Sequence, residues 1–226
     1  MTDLPLVLAM TGASGAGFAI RLLQCLHHAG IPLQLTFSDP ALQVLRTELG
    51  LHIDPCRREF RPQDFGLTGD SPWWQRLSDS PPPELGPPVH PAAPVQVYAV
   101  NDLCSPIASG SHLTRGMIIC PCSSSTLSAV VHATASNLIH RAADVHLKER
   151  RLLVLVPRET PLSTPQLENM AAASRYGATV LPASPGWYHG VRSLYDLIDF
   201  VVARILDQFG IPHQLTSRWG APGKEE

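Results

Sequence analysis

The sequence predicts an α/β domain built on a doubly wound parallel sheet, with helices on both faces. Short continuous apolar runs alternate with amphipathic helical patterns, which is typical of parallel strands buried on both sides. The connections between them are short outside one proline-rich stretch. The 226 residues are enough for one such domain, and no internal repeat at a fixed period divides them.

The first strand–helix units lie before residue 55. Leu4–Met10 is the first predicted strand, and the turn GASGAG at Gly12–Gly17 leads from it into a helix that ends near Gly30. Leu33–Phe37 is the second strand. Ser38 and the proline two residues later suit the start of another helix.

The same unit recurs in the second half of the chain. Strands and helices are predicted to alternate in the order Met117–Cys120, a helix from Ser123 toward His132, Leu152–Val156, a helix at Gln166–Tyr176, Ala178–Leu181 and a helix at Ser193–Phe209. Repeated units of this kind place helices on both faces of one sheet, as in Rossmann-like and flavodoxin-like domains.

Residues 55–95 are predicted to be an insert in a single domain that spans residues 1–226. Ten of the 22 prolines lie between Pro55 and Pro94. Because proline donates no ladder hydrogen bond, an extended surface segment is expected. Trp73 and Trp74 within it are interpreted first as rings that pin the insert onto the body of the protein, and second as a contact with another subunit.

Composition and charge exclude several classes of protein. The formal net charge is −2 and the pI is near 6.5, so no basic surface for nucleic acid or an anionic membrane is expected. No apolar run is long enough to span a bilayer, and the first residues show no secretory signal pattern.

Five cysteines at irregular spacing favour the cytoplasm. Cys120 and Cys122 lack further ligands at metal-site spacing, so no metal is predicted.

Two turns at the carboxyl ends of predicted strands are candidate binding sites, since ligands of such sheets bind at that edge. The GASGAG turn lets the backbone approach a phosphate, and the helix after it presents N–H groups. Ser123–Thr126 offers four hydroxyls at a helix start, where one would suffice as a cap. Either turn can also exist without a ligand. Together, and without a dinucleotide fingerprint, they favour a mononucleotide.

Charged and aromatic residues extend this candidate site. Arg158 and Glu159 follow a strand directly, where an arginine can bind phosphate and a glutamate can exchange protons. The alternative is a local ion pair of little energy. Lys148–Arg151 is typical of a solvated helix end. Trp187–His189 ends the next unit and belongs either to the core or to a cofactor site.

In their order and spacing these residues resemble the UbiX/Pad1 family of flavin prenyltransferases. The resemblance covers nearly the whole chain outside about residues 55–95, and it rests on GASGAG, Ser38, IASGS, PCSSST, RAADV, LKERR, PRETPL, WYH and RILDQ. It implies an enzyme that joins a dimethylallyl group from dimethylallyl phosphate to N5 and C6 of reduced FMN. It also implies a homo-oligomer, commonly a dodecamer, and a UbiD-type decarboxylase that receives the prenylated FMN.

The resemblance further implies roles for individual residues. FMN would be held by Gly12, Ala13, Ser14, Ser38, Ser123, Ser124, Ser125, Thr126 and Arg158. The allylic phosphate would be bound by Tyr188, Arg204, Lys148 and Arg141. Glu159 would exchange protons with the phosphate, Ser14 and Glu48 would act near N5 and C6, and Trp219 would cover the prenyl chain.

Two other functions remain open from the sequence. One is FMN-dependent decarboxylation of a peptidyl or pantothenoyl cysteine, for which His132 is the available histidine. The other is a non-catalytic FMN carrier, in which four buried cations beside FMN would be costly and without use. Two features depart from the family pattern: Ser125 stands where a lysine is usual, and the insert at 55–95 is proline-rich.

Overall fold

The computed structural model describes residues 4–54, 59–69, 72–87, 93–188 and 190–218, and these residues form a six-stranded sheet. Its strands are β1 (Leu6–Met10), β2 (Leu33–Phe37), β3 (Val95–Tyr98), β4 (Gly116–Cys122), β5 (Leu153–Pro157) and β6 (Thr179–Val180). All neighbouring strands are parallel, in the order β3-β2-β1-β4-β5-β6. The order reverses between β1 and β4, which is the switch point of a doubly wound sheet. The predicted fold class is confirmed.

Within the described residues, six α-helices cover this sheet: α1 (Ala16–His28), α2 (Asp39–Leu49), α3 (Ser124–Val131), α4 (Leu138–Lys148), α5 (Thr164–Arg175) and α6 (Leu194–Gln208). β1 shows why the strand sequences are continuously apolar. Leu6, Leu8 and Met10 face the core under α1, α2 and α6, whereas Val7 and Ala9 face the core under α3, α4 and α5. No helix in this part of the chain has both the length and the apolar character to cross a bilayer.

Two elements lie outside the sequence predictions. β3 is an edge strand in which only Val97 is buried, so it lacks the continuous apolar run that marks the inner strands. The sequence indicated only the basic end of α4, at Lys148–Arg151. The helix itself buries an apolar face from Leu138 to Val145 and ends at Lys148. The other elements differ from prediction by a few residues at their ends, where helices and strands fray.

The described part of the proline-rich insert lies mostly at the surface, as expected, and a few buried side chains anchor it to the core. Trp73 is 1% exposed and packs edge-on against Tyr195, with ring centroids 6.2 Å apart. The Tyr195 hydroxyl donates to the carbonyl oxygen of Ser80 at 2.9 Å. Trp74 packs partly buried against the same cluster. The interpretation of the tryptophans as a pin on the body of the protein is confirmed.

A buried ion pair ties the insert to two helices. Arg21 of α1 donates from Nε and Nη2 to the two carboxylate oxygens of Asp199 in α6, at 2.7 and 3.0 Å. Nη2 also donates to the carbonyl oxygen of Pro83, at 3.0 Å. Both side chains are nearly free of solvent contact. The pair therefore fixes α1, α6 and the insert to one another.

His146 is a buried neutral histidine that should make stability depend on pH. Its Nδ1 donates to Ala142 O at 2.7 Å, and its Nε2 accepts from the Thr114 hydroxyl at 2.8 Å. Burial lowers the pKa of His146 from 6.5 to about 4. As the pH falls through this range, the unfolded chain takes up a proton that the folded chain does not. We expect the free energy of unfolding to fall by about 3 kcal/mol between these pH values.

Urea unfolding at several pH values between 7 and 4 measures this dependence. His146→Gln should flatten the slope of unfolding free energy against pH, because its side chain stays neutral. His132→Gln, at an exposed position, is the matched control and should leave the slope unchanged. An identical slope in the wild type and His146→Gln would contradict the assignment.

Candidate active site

Thr11 joins two of the predicted turns at the carboxyl edge of the sheet. Its hydroxyl donates to the carbonyl oxygen of Pro121 at 2.8 Å and accepts from the backbone N–H of Ser123 at 2.7 Å. The end of β1 and the start of α3 are thereby held side by side. Thr11 was not among the predicted site residues. Its position directly after a buried strand is the signal that would have identified it.

The turn after β1 lies between α2 and β5. A Cβ on Gly12 would lie 2.4 Å from Cβ of Pro40, so only glycine permits this approach to the start of α2. Arg158, which follows β5, donates from Nε to the carbonyl oxygen of Ser14 at 3.1 Å. Gly12 and Ser14 are exposed at this edge, whereas Ala13 is buried. The turn therefore presents Gly12 and Ser14 to a ligand and uses Ala13 for packing.

Glu48 occupies the N-terminus of α1. Its carboxylate accepts from the backbone N–H of Gly15 at 3.1 Å and from that of Ala16 at 2.8 Å. The sequence predicted that these N–H groups would be free for a phosphate. They instead donate to a carboxylate of the chain itself, whose negative charge is stabilised by the positive end of the helix dipole. This contact also places Glu48 next to Ser14.

The hydroxyl-rich turn leaves one helix start open at the same edge. Ser123 Oγ caps α3 by accepting from Thr126 N at 3.3 Å, and it lies 3.1 Å from the Ser125 hydroxyl. Ser124 Oγ accepts from Gln166 Nε2 at 2.7 Å. Ser125 is exposed in the first turn of the helix, where backbone N–H groups point outward. The turn is therefore arranged to receive an anion such as a phosphate.

Ser38 and Glu159 complete the group at this edge. The Ser38 hydroxyl accepts from Ala41 N at 3.2 Å as the N-cap of α2, and its proton remains available to a ligand. Glu159 is exposed, and its carboxylate accepts from Thr160 N at 3.2 Å. Arg158 is hydrogen-bonded to Ser14 O and not to its neighbour Glu159. The exposed Glu159 carboxylate can therefore act as an acid or base at the surface.

Arg141 and Lys148 lie at the two ends of α4, Arg141 in its first turn and Lys148 at its last residue. Arg141 donates from Nε to the carbonyl oxygen of Ala108 at 3.1 Å and pairs with Asp144 at 3.0 Å. Lys148 is the last residue of α4 and pairs with Glu149. Since α4 leads into the amino end of β5, Lys148 lies toward the edge of the sheet opposite to the candidate site.

Tyr188 and Arg204 share one side of α6. The ring of Tyr188 packs edge-on against Phe200, at a centroid distance of 6.0 Å, and Arg204 follows Phe200 by one helical turn. Arg204 pairs with Asp207 at 2.7 Å. It lies about 15 Å along the helix from Leu194, toward the amino edge of the sheet.

One chain therefore assembles only part of the predicted site. The carboxyl edge holds Gly12, Ser14, Ser38, Glu48, Ser123, Ser124, Ser125, Thr126, Arg158 and Glu159. The cations on α4 and α6 lie outside this group. The case against a non-catalytic carrier expected these cations to be buried beside FMN. In one chain they are not buried, because the side chains of Arg141, Lys148 and Arg204 are 41%, 47% and 44% exposed. Trp219 lies outside the described residues.

A cleft of about 390 Å³ opens beside Ser14 and Glu48. Its other walls are apolar and come from α1, α6 and the insert, which contributes Leu77. Among the described side chains, no cluster of three or more histidine, cysteine, aspartate or glutamate residues is arranged to hold a metal ion. The polar side chains at this edge are hydroxyls, carboxylates and one guanidinium.

Comparison with known proteins gives one consistent result. A family model described as Flavoprotein matches residues 1–206. The flavin prenyltransferase UbiX of Pseudomonas aeruginosa is 43% identical over 215 residues, which cover 95% of this chain and 93% of that protein. The solved structure of AnUbiX (PadA1) in complex with FMN and dimethylallyl pyrophosphate has a TM-score of 0.77 at 34% identity, and covers 97% of this chain and 99% of that one.

A second solved structure agrees with the first. The dodecameric FMN-dependent UbiX-like decarboxylase from Escherichia coli O157:H7 has a TM-score of 0.72 at 36% identity, with 93% of this chain and 97% of that one covered. The sequence resemblance, the family model and the fold thus agree over nearly the whole chain, and the chain belongs to the UbiX family of flavin prenyltransferases, within the flavoproteins.

Proposed function

We propose that this protein transfers a dimethylallyl group from dimethylallyl phosphate to N5 and C6 of reduced FMN and so makes prenylated FMN. The observation that carries the proposal is the arrangement at the carboxyl edge. There, an open hydroxyl-rich helix start lies beside a turn that holds Ser14, Glu48 and Arg158 together. Dimethylallyl pyrophosphate, which AnUbiX binds, is the alternative donor.

The described residues fit FMN as a ligand with one phosphate. Of the two helix starts expected to bind an anion, α1 is occupied by Glu48, and α3 remains for the phosphate. We assign Ser123, Ser124, Ser125 and Thr126 to that phosphate, and Gly12, Ala13, Ser14, Ser38 and Arg158 to the rest of the nucleotide. Reduced FMN supplies the nucleophilic positions N5 and C6.

Proton transfer is assigned to three residues of this edge. When the allylic carbon–oxygen bond breaks, the phosphate leaves with the electron pair, and Glu159 donates a proton to it. Ser14 and Glu48 are adjacent through the Gly15 N–H contact and would take up the proton that N5 loses as it bonds to the allylic carbon. When the second bond forms, they would return a proton to the remaining carbon–carbon double bond while C6 gives up its own, so that the protons balance. Trp219 keeps its predicted role as a cover over the prenyl chain.

The phosphate-binding cations are assigned to neighbouring copies of the chain. Lys148 and Arg204 are half-exposed and lie toward the amino edge of their own chain, while Arg141 in the first turn of α4 and Tyr188 in the segment after β6 are also accessible to solvent. In a homo-oligomer, such as the dodecamer of the related Escherichia coli protein, these side chains can reach the edge of another copy. The positive charge of the two arginines and the lysine then stabilises the departing phosphate, and Tyr188 offers it a hydroxyl donor.

Mass spectrometry of the flavin tests the proposed activity. The protein is mixed anaerobically with reduced FMN and dimethylallyl phosphate, and the released flavin is weighed. We expect a gain of one C5 prenyl unit, which a reaction without protein does not give. Unmodified flavin with both the phosphate and the pyrophosphate donor would reject the proposal, and decarboxylation of a cysteine substrate would then be measured.

The product is proposed to serve a separate UbiD-type decarboxylase, as the resemblance implies. The reaction is proposed to occur in the cytoplasm, which the cysteine usage supports. Supplying the released flavin to an apo-decarboxylase of that type should give an active enzyme. Unmodified FMN is the control and should not.

A further inference from the structure

We propose that the insert turn at residues 73–77 is a brace that positions Glu48, and that Arg76 is its positioning residue. The proposal deepens the proposed function, because Glu48 is one of the groups assigned to proton transfer. It concerns the proline-rich insert, which lies outside the motifs on which the sequence resemblance rests, and it is argued from contacts made by that insert.

The position of Glu48 depends on how the end of α2 is held. Glu48 is the penultimate residue of α2, and its carboxylate reaches across to the N–H groups of Gly15 and Ala16. The helix ends at Gly50, which has a left-handed φ of 72° and returns its N–H to Arg46 O at 3.0 Å. A displacement of this last turn would withdraw the carboxylate from α1.

Arg76 makes contact with this last turn from outside. Its Nη1 donates to the carbonyl oxygens of Arg46 and Thr47, at 3.3 and 3.4 Å. The guanidinium lies so close to the helix end that a Cβ on Gly50 would be 2.7 Å from its Nε. A cation at the carboxyl end of a helix is electrostatically favourable. Arg46 O accepts from Gly50 N–H as well as from Arg76, and Thr47 O is one of the last-turn carbonyls for which a helix supplies no donor.

The turn that carries Arg76 is itself anchored on both sides. The Trp73 ring is buried against Tyr195, and the backbone N–H of Trp73 donates to the carbonyl oxygen of Gly66 at 3.2 Å. Leu77 contacts α1, because a Cβ on Gly17 would lie 3.0 Å from its Cδ1. Leu77 also lines the cleft beside Ser14 and Glu48. Consecutive residues of one anchored turn thus contact the end of α2 and the first turns of α1.

The brace therefore connects both partners of the Glu48 contact. Arg76 holds the helix that carries the carboxylate, and Leu77 packs on the helix that supplies the N–H groups. The distance between carboxylate and N–H groups is set by the insert as well as by direct packing of α1 on α2. Loss of Arg76 should loosen this contact without unfolding the exposed turn.

Hydrogen exchange at the amides of Gly15 and Ala16 measures the contact without any substrate. In the full-length protein, Arg76→Ala should raise the exchange rate of these amides by roughly three- to ten-fold, the effect of losing one ordinary hydrogen-bonded contact. Glu48→Ala sets the upper limit of the increase. Arg175→Ala, at an exposed arginine in the last turn of α5, is the matched control and should leave these amides unchanged.

Kinetics of prenyl transfer provide the second readout. Arg76→Ala should lower kcat by a similar factor and leave KM for dimethylallyl phosphate unchanged, since the brace acts on Glu48 and not on the phosphate cations. Arg76→Lys retains the charge and should recover part of the rate. Unchanged exchange at Gly15 and Ala16 in Arg76→Ala, or an equal increase in Arg175→Ala, would overturn the proposal. A wild type that transfers no prenyl group would reject the proposed function, and the exchange experiment would still decide on the brace.

Discussion

Co-expression of Glu159→Gln and Arg204→Ala chains is expected to restore prenyl transfer that each variant alone has lost. Loss of a proton donor lowers a rate by about 10²–10⁴-fold, and loss of one charge-stabilising group by about 10²–10³-fold. Glu159 lies at the carboxyl edge, whereas Arg204 lies far along α6 and pairs with Asp207. When two copies of the chain build one site, a mixed oligomer contains sites with both residues intact.

Random mixing at equal amounts should make about a quarter of the sites intact, because each of two positions is filled correctly half of the time. The activity of the purified mixed oligomer, verified by native mass spectrometry, measures this fraction. The matched control is a mixture of chains that carry Glu159→Gln with chains that carry Ser14→Ala. Both of these residues belong to the same edge of one chain, so every site in that mixture keeps a defect. No recovery in the first mixture would show that Arg204 does not act across subunits.

Asp199→Ala should lower the free energy of unfolding by about 3–5 kcal/mol. The substitution leaves the guanidinium of Arg21 buried without its carboxylate, and a side chain that is 0% exposed has no solvent to replace the lost partner. The contact with Pro83 remains but does not neutralise the charge. Chemical denaturation at one fixed protein concentration measures the loss, since oligomerisation contributes to stability.

Two comparisons distinguish the buried charge from a general effect of losing a carboxylate. Glu59→Ala removes the partner of Arg61 in an ion pair whose side chains are 72% and 44% exposed, and it should cost less than about 1 kcal/mol. The double variant Arg21→Met/Asp199→Leu should recover most of the stability, because neither charge remains in the core. A cost for Asp199→Ala no larger than that for Glu59→Ala would contradict this explanation.

The sheet and one edge of the site could be predicted from sequence because they follow from strand periodicity. Once Leu6–Met10 and Leu153–Pro157 are recognised as parallel strands, the residues that follow them must lie at the same edge. Arg158 and Ser14 were expected near each other for this reason, and they are hydrogen-bonded.

The remaining features depend on how helices pack, which the local pattern does not encode. Nothing in the sequence around Glu48 indicates that its carboxylate reaches an N–H group 33 residues earlier. Arg204 matches a family motif, yet its distance from the carboxyl edge follows only from the direction of α6. The burial of Trp73 depends on Tyr195, which lies more than a hundred residues away.

The contact between Glu48 and α1 also has a consequence for which coenzymes the fold admits. In a sheet with this strand order, the helix start after β1 is where a pyrophosphate bridge is commonly seated. Here a carboxylate already holds those N–H groups. A coenzyme with such a bridge would have to displace it and then remain beside a like charge. Glu48 is therefore expected to disfavour nucleotide coenzymes that carry a pyrophosphate bridge, whatever ring system they bear.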